Sequence, residues 1–286
     1  MDGAEASACS ATAAPVANAP LRWSPTLLVR MSMLFHGAAA VTFLLFPSHW
    51  AGVVLALLAN HLLLTALGLW PKSHMAGANL VRLPEAAVRR HEVSLTFDDG
   101  PDPQVTPQVL DLLDRCGAKA SFFLVAQRAA AYPALVRDIV RRGHSIENHS
   151  YSHSHVFACY GLGKLRREVE TSQALVAKLT GRVPRFFRAP MGLRSPLLDP
   201  VLARAGLRHV AWTRRGYDTV SSDAGKVLRR LTRGLSAGDV LLLHDGNCAR
   251  APNGTAVTLA VLPKLLEAIS AQGLRSVSVP MAFERL

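Results

Sequence analysis

Between Arg30 and Lys72 run 41 residues without a single Asp, Glu, Lys or Arg. As one helix, rising about 1.5 Å per residue, they would reach about 60 Å, twice a bilayer hydrocarbon core of about 30 Å. Pro47-Ser48-His49-Trp50 divides the run. The expectation is therefore a transmembrane helical hairpin within residues 26–70, with spans over 26–46 and 51–70. Trp23, Trp50 and Trp70 fall at the boundaries, where interfacial aromatic anchors belong. Arg30 lies about one turn inside the first span, close enough to its start for the guanidinium to snorkel to the headgroups. His36 and His61 read as polar residues that each face the partner helix.

Ahead of the hairpin, residues 1–25 read as a disordered Ala-rich tail. The first twenty carry two acids and no base, which is not the start of a secretory signal. Bases lie before the first span (Arg22, Arg30) and after the second (Lys72, Arg82, Arg89, Arg90), and the turn has none. By the positive-inside rule both ends face the cytoplasm, which makes the chain integral to the inner (cytoplasmic) membrane with its globular part inside. A single span with the domain on the external face is the alternative.

The formal net charge of +12 arises wholly from Lys72 onward, where 30 bases face 18 acids. Such a balance suits an anionic bilayer surface, a phosphorylated substrate or nucleic acid, and membrane lipid stands first because of the adjacent apolar run. Charge alone speaks for nucleic acid, so no nucleic-acid partner is expected. Cys9, Cys116, Cys159 and Cys248 form no C-x-x-C pair and read as ordinary buried thiols, neither zinc ribbon nor disulfide frame.

Residues 71–90 read as a linker, and 91–286 as the globular domain. There, β-branched or aromatic runs at 93–97, 120–125, 145–147, 185–188, 208–212, 239–243 and 276–279 alternate with helical stretches at 105–116, 133–142, 162–179, 196–205, 224–235 and 258–272. Strict alternation means parallel strands with right-handed crossovers. Asp98, Asp99, His149, Arg188, Asp218 and His244 each follow a predicted strand. Convergence of so many strand ends favours a barrel with its chemistry on the C-terminal face over an open sheet. The fold expected is an α/β one, a distorted, incomplete seven-stranded (β/α) barrel.

Thr96-Phe97-Asp98-Asp99-Gly100 sets two carboxylates side by side, which in a dry site calls for a cation to share them. His149-Ser150-Tyr151-Ser152-His153 places two imidazoles at i and i+4, so that on a helical turn both rings reach one ion. With Asp99 they make a two-histidine, one-carboxylate set, which suits zinc, cobalt, nickel, manganese or iron better than magnesium or calcium. Arg188-Ala189-Pro190-Met191-Gly192 offers a guanidinium for bidentate hold on a carboxylate. His244-Asp245-Gly246 closes the apolar strand 240–243, where a histidine can serve as a general acid. Singly, each also reads as an ordinary loop turn, a capping arginine or a satisfied core histidine.

In order, Thr96-Phe97-Asp98-Asp99-Gly100, His149-Ser150-x-x-His153-Ser154, Arg188-x-Pro190-x-Gly192, Trp212 with Asp218, and Leu242-x-His244-Asp245 resemble the five motifs of the polysaccharide deacetylase family, the NodB-homology domain of carbohydrate esterase family 4. The resemblance spans about residues 92–279 and implies a distorted seven-stranded (β/α) barrel. It further implies that Asp99, His149 and His153 hold one divalent metal ion, zinc first and cobalt, nickel or manganese after it. Asp98 would be the general base, Arg188 its orienting partner, His244 the general acid and Asp218 the group that tunes it, with Met191, Trp212 and Leu242 facing substrate. The reaction implied is hydrolysis of an N-acetyl or other N-acyl group from an amino sugar, in a polysaccharide glycan or a lipid-linked sugar. Met191 stands where the family usually has tyrosine, and Arg214 and Arg215 stand where another acid is often found, so these arginines could meet a phosphate. Two other classes share part of the pattern. A non-haem iron oxygenase would use the same metal set without need of Asp98 or His244, and an inactive membrane-bound carbohydrate-binding protein would need none of them.

The charge asymmetry around the hairpin yields a direct test of topology. Alkaline phosphatase fused after Leu286 should be inactive in cells, because that reporter folds only outside the cytoplasm; activity would place the domain outside and refute the hairpin.

Overall fold

A computed structural model describes residues 17–284. The uncharged run forms α1 (Leu27–Leu45) and α2 (Trp50–Gly68), separated by a 3-10 turn at Pro47–His49. Each is 19 residues long, about 28 Å of helix. Both are long and apolar enough to cross a membrane. Thr26 caps α1 by accepting from the Val29 N–H, and Arg30 turns back over the start of the helix to bond Pro25 O at 2.9 Å. The polar residues of the hairpin meet across it, His36 Nε2 lying 3.3 Å from His61 Nε2, while Asn60 donates to Ser32 Oγ at 2.9 Å.

Among the described residues eight strands follow: β1 (Glu92–Asp98), β2 (Ala120–Leu124), β3 (Ser145–Asn148), β4 (Phe186–Phe187), β5 (Arg208–His209), β6 (Arg214–Arg215), β7 (Val240–His244) and β8 (Arg275–Ser276). All pair in parallel, in the order β5-β4-β3-β2-β1-β7-β6, with β8 beside the start of β1. The helices of the domain are α3 (Glu85–Arg89), α4 (Thr106–Arg115), α5 (Ala126–Ala131), α6 (Pro133–Arg141), α7 (Leu162–Thr180), α8 (Leu198–Arg204), α9 (Ala224–Thr232), α10 (Val257–Ala271) and α11 (Val279–Glu284).

One feature of this order forces the sheet to curl. β5 and β6 are its two edges, yet only residues 210–213 join them. Five Cα steps span about 18 Å at most, whereas the edges of a flat seven-stranded sheet would stand about 29 Å apart. The seven strands therefore bend into a half-barrel, as the sequence led us to expect. The open side is bridged by residues 80–82, where Leu80 pairs with Val210 on one edge and Arg82 with Asp239 at the foot of β7. Asp239, fully buried, holds both Arg82 and Arg214.

Every residue of β1 is buried, but its two faces differ. Val93, Leu95 and Phe97 join Leu241 and Leu243 of β7 in the core under α4, α9 and α10. Ser94, Thr96 and Asp98 take the opposite face, since successive side chains of a strand alternate. Thr96 and Asp98 there meet the guanidinium of Arg188, which reaches across from beyond β4. A polar lining inside a half-barrel is what a site at its mouth requires.

Several local expectations need amending. β6 and the short helices α3, α5 and α11 were not expected, and 276–279 splits between β8 and α11, whose second residue is Pro280, a position suited to a helix start. Residues 71–90 are stitched to the domain: Arg194 donates to Ala78 O and Ser73 O, and Asn79 to Pro71 O. Within the expected tail, 1–16 and Cys9 lie outside the described residues, while Asn18 donates to Pro184 O and Trp23 to Asp199. Cys116 and Cys159 are exposed and Cys248 half-buried, against the expected buried thiols.

Because Asp239 helps to close the gap between the sheet edges, Asp239→Ala should leave Arg82 and Arg214 without their shared carboxylate and destabilise the domain by about 2–4 kcal/mol. A thermal melt of the detergent-solubilised protein would measure this, and an unchanged midpoint would contradict that role.

Candidate active site

The motif residues gather at one end of the half-barrel. Asp98 ends β1, His149 follows β3, Arg188 follows β4, His244 ends β7 and Asp218 follows β6. All are C-terminal ends, and parallel strands put those on one side.

Asp99 departs from the strand with φ 70, a left-handed conformation that Asp tolerates better than most residues. This turns its carboxylate toward two imidazoles: Oδ1 lies 3.3 Å from His149 Nε2 and 3.0 Å from His153 Nε2. The rings converge through an irregular turn with left-handed Ser150 and His153, and not through the helical turn expected. That turn is held by Glu168 of α7, which accepts from the N–H groups of Tyr151 and Ser152. His149 Nδ1 faces Arg188 O at 2.8 Å, and since a carbonyl only accepts, Nδ1 carries a proton, which leaves Nε2 as the ring atom able to bind a metal. Burial would raise the Asp99 carboxyl, but the two imidazoles that face it outweigh burial and hold it well below the usual range.

These residues fit a divalent metal. Their three ligand atoms lie within 4.8 Å of one another, and Asp99 Oδ1 is buried with no directed hydrogen bond. One carboxylate oxygen and two imidazole nitrogens form a donor set that leaves further coordination positions for water or substrate.

Beside them, Asp98 is 3 % exposed, and its Oδ1 accepts from Arg188 Nη1 at 2.6 Å. The sequence suggested a bidentate clasp. Instead the guanidinium, fully buried over the Phe123 ring, divides its donors among Asp98, Thr96 Oγ1, Val210 O and Ala211 O. This leaves Asp98 Oδ2 turned toward the histidine pair, 3.9 Å from His149 Nε2.

Asp98 and His244 are register partners across β1 and β7. His244 Nδ1 lies 2.9 Å from Asp218 Oδ1, and its backbone N–H donates to Asp218 Oδ2 at 2.7 Å. Burial opposes the imidazolium, yet the charge and hydrogen bond of Asp218, with the charges of Asp98 and Asp99 behind, raise the His244 pKa above its ordinary value.

At the rim, Met191 is exposed in a left-handed turn, while Trp212 and Leu242 are buried together against Ala211. Gly192 is required there, since a Cβ would stand 2.4 Å from Trp212 Cη2. The two arginines of the fourth motif part company. Arg214 points away, bonded to Asp239 and to the carbonyls of Arg233 and Gly234, so it is not available to a phosphate. Arg215 stacks on Trp212.

Sequence reading missed the outer support. Arg128 donates to Asp99 O and Asn247 Oδ1, and Asn247 donates to Asp99 Oδ2, locking the carboxylate from behind. Thr258 Oγ lies 2.8 Å from Asp218 Oδ2, and Thr106 donates to Asp245, whose buried carboxyl is pushed up to about 7 by burial, with Asp99 and Asp98 adding to it. Arg128, Thr258 and Thr106 lie outside the five motifs, and only folding brings them near.

Known proteins of this kind share both sequence and fold. The sequence profile described as polysaccharide deacetylase matches residues 85–210. The chain is 33% identical over 190 residues to a peptidoglycan-N-acetylglucosamine deacetylase of Bacillus cereus, covering 65% of this chain and 85% of that protein. It is 32% identical over 172 residues to a chitooligosaccharide deacetylase of Bradyrhizobium sp., covering 57% and 78%. Among solved structures, a family 4 carbohydrate esterase from Streptomyces lividans in complex with acetate superposes with a TM-score of 0.59 at 33% identity, over 65% of this chain and 91% of that one. A family 4 pseudoenzyme from Bacillus anthracis, at 20% identity with a TM-score of 0.64 over 72% of this chain and 68% of that one, shares the fold alone. With the five motifs assembled at one barrel mouth, this chain belongs to the polysaccharide deacetylase family, carbohydrate esterase family 4.

Proposed function

We propose that the protein is a membrane-anchored, metal-dependent N-deacetylase that hydrolyses the N-acetyl group of an amino sugar, acting on an N-acetylglucosamine-type glycan or a lipid-linked form of it. The observation that carries this reading is the pairing, across β1 and β7, of a carboxylate beside the metal-ligand cluster with a histidine bonded to a buried aspartate. An oxygenase has no use for that pair. A protein that only binds carbohydrate has no need of the buried charges.

Zinc is the ion proposed for Asp99, His149 and His153. When bound, it would lower the pKa of a water and polarise the amide carbonyl. Asp98, oriented by Arg188, accepts the proton of the attacking water. The N–H of Met191 lies in the turn at Pro190–Gly192 and is proposed to donate to the oxygen that becomes negative. His244, held as a cation by Asp218, gives its proton to the departing amine, so that acetate and a free amino sugar result. Trp212 and Leu242 form the apolar wall suited to the acyl methyl group, with Met191 toward the sugar. The hairpin is proposed to lie in the inner membrane, with the domain on the cytoplasmic side.

If the cluster holds the metal, His149→Ala and His153→Ala should each lose the single equivalent of zinc found by elemental analysis and lose activity with it. Asp98→Asn should keep the metal while kcat falls about 100- to 10,000-fold; full zinc occupancy in both histidine variants would overturn the ligand set. The pH dependence follows from His244. It must be protonated to act, and its pKa is raised, so activity is lost as pH climbs through that raised value. Asp218→Asn removes the largest raising influence and leaves burial opposed only by the charges of Asp98 and Asp99, which should move the alkaline limb of kcat/KM to lower pH. An unmoved limb would show that another group sets it.

A further inference from the structure

Among the described residues, one cation at the mouth has no anionic partner. Strand alternation sends Arg214 and Gly216 outward, the first to Asp239 and the second toward Val227 and Leu231, so Arg215 between them faces the barrel interior. It stands opposite Leu242, two residues before His244 on the neighbouring strand. Its guanidinium lies against two aromatic rings, 5.1 Å from the centroid of Trp212 and 4.9 Å from that of Tyr217. Its Nε is buried without an acceptor, and among the described residues no carboxylate reaches it. The field of Arg215 is also felt by Arg188, which holds Asp98. A half-buried guanidinium with unused donors, stiffened by two rings, is suited to bidentate contact with an anion.

The same wall is joined to the membrane hairpin. Pro71, three residues past the end of α2, has its Cβ 3.1 Å from where a Gly192 Cβ would stand, beside Trp212. Lys72 donates to Thr213 O at 2.7 Å, and the Arg194 N–H to Gly68 O at 3.2 Å. The end of α2 is thus fixed to the loop that carries Met191 and to the segment that leads into Arg215. Leu69, Trp70, Met191, Tyr217 and Val220 are exposed along this side. With α1 and α2 in a bilayer, Trp70 marks the interface, and the mouth opens at about the depth of the headgroups.

We propose that Arg215 is the specificity residue of this enzyme and binds the phosphate of a glycosyl phosphate, presented from the bilayer as a lipid-linked N-acetylated amino sugar. The proposal rests on the deacetylase reading above. A phosphate that joins sugar to lipid is an anion held by the membrane at the depth where the hairpin fixes Arg215, which a neutral polymer does not offer.

The test uses the full-length, zinc-loaded protein in detergent micelles and measures acetate release from three probes. These are a chito-oligosaccharide, soluble N-acetylglucosamine 1-phosphate, and N-acetylglucosamine linked by phosphate to a polyprenyl chain. The expected order of kcat/KM is lipid-linked, then soluble phosphate, then neutral oligomer. Arg215→Gln should lower the ratio of phosphorylated to neutral kcat/KM by about 10-fold or more, chiefly through KM, with Arg215→Lys between. Raising the salt on the unaltered protein should increase KM for the phosphorylated probes and spare the neutral one, a readout independent of how the variants fold. A ratio unmoved by both substitution and salt overturns the assignment of Arg215. Equal rates on soluble and lipid-linked phosphates overturn presentation from the bilayer. Failure of the deacetylase reading looks different, since none of the three probes would then release acetate.

Discussion

The site depends on one buried guanidinium. Arg188 leaves the end of β4, crosses the interior of the half-barrel over the Phe123 ring, and spends its donors on Asp98 and Thr96 of β1 and on the carbonyls of Val210 and Ala211. It thereby ties three separate parts of the sheet, including the connection between its two edges. Burial works against its charge, and Asp98 works for it. Neither ion would be tolerated there alone, because a buried charge without a partner costs several kcal/mol. The base of the proposed mechanism and the closure of the barrel therefore rest on the same contact.

Around that pair, negative charge accumulates. Asp99, Asp218 and Asp245 are all buried close to Asp98, and the fold compensates each differently. Asp218 is bonded by His244 and Thr258, and Asp99 faces two imidazoles that Arg128 and Asn247 cannot replace, since they approach from its other side. Asp245 accepts from the Thr106 hydroxyl and has a raised pKa. A divalent cation at Asp99 would offset much of this excess, which is why the donor geometry and the electrostatics point to the same place.

As the membrane anchor proposed here, the hairpin would be more than a tether. Arg194 meets the end of α2 through its backbone and the chain just beyond it through its side chain, while Pro71 packs beside Gly192 and Trp212. An anchor attached through a flexible linker would leave the mouth free to turn in any direction. Here the connection passes directly under the rim, so the orientation of the site relative to α1 and α2 is set by hydrogen bonds.

Local chemistry made much of this legible in the sequence. An uncharged run with a proline break has few outcomes besides two helices, and alternating strand and helix periods imply a parallel sheet. The five motifs pick out Asp98, Asp99, His149, His153, Arg188, Asp218 and His244, which the fold brings to one end of the half-barrel. What the sequence could not carry was distance. Which donors of Arg188 reach Asp98, how a turn with left-handed Ser150 and His153 aims two rings, and that Arg128 and Asn247 brace Asp99 from behind are decided by pairings between residues far apart in the chain. Arg214 and Arg215 show the limit most simply. Adjacent and identical in type, they are indistinguishable as letters, and strand alternation in a closed half-barrel sends one to Asp239 and the other to the mouth.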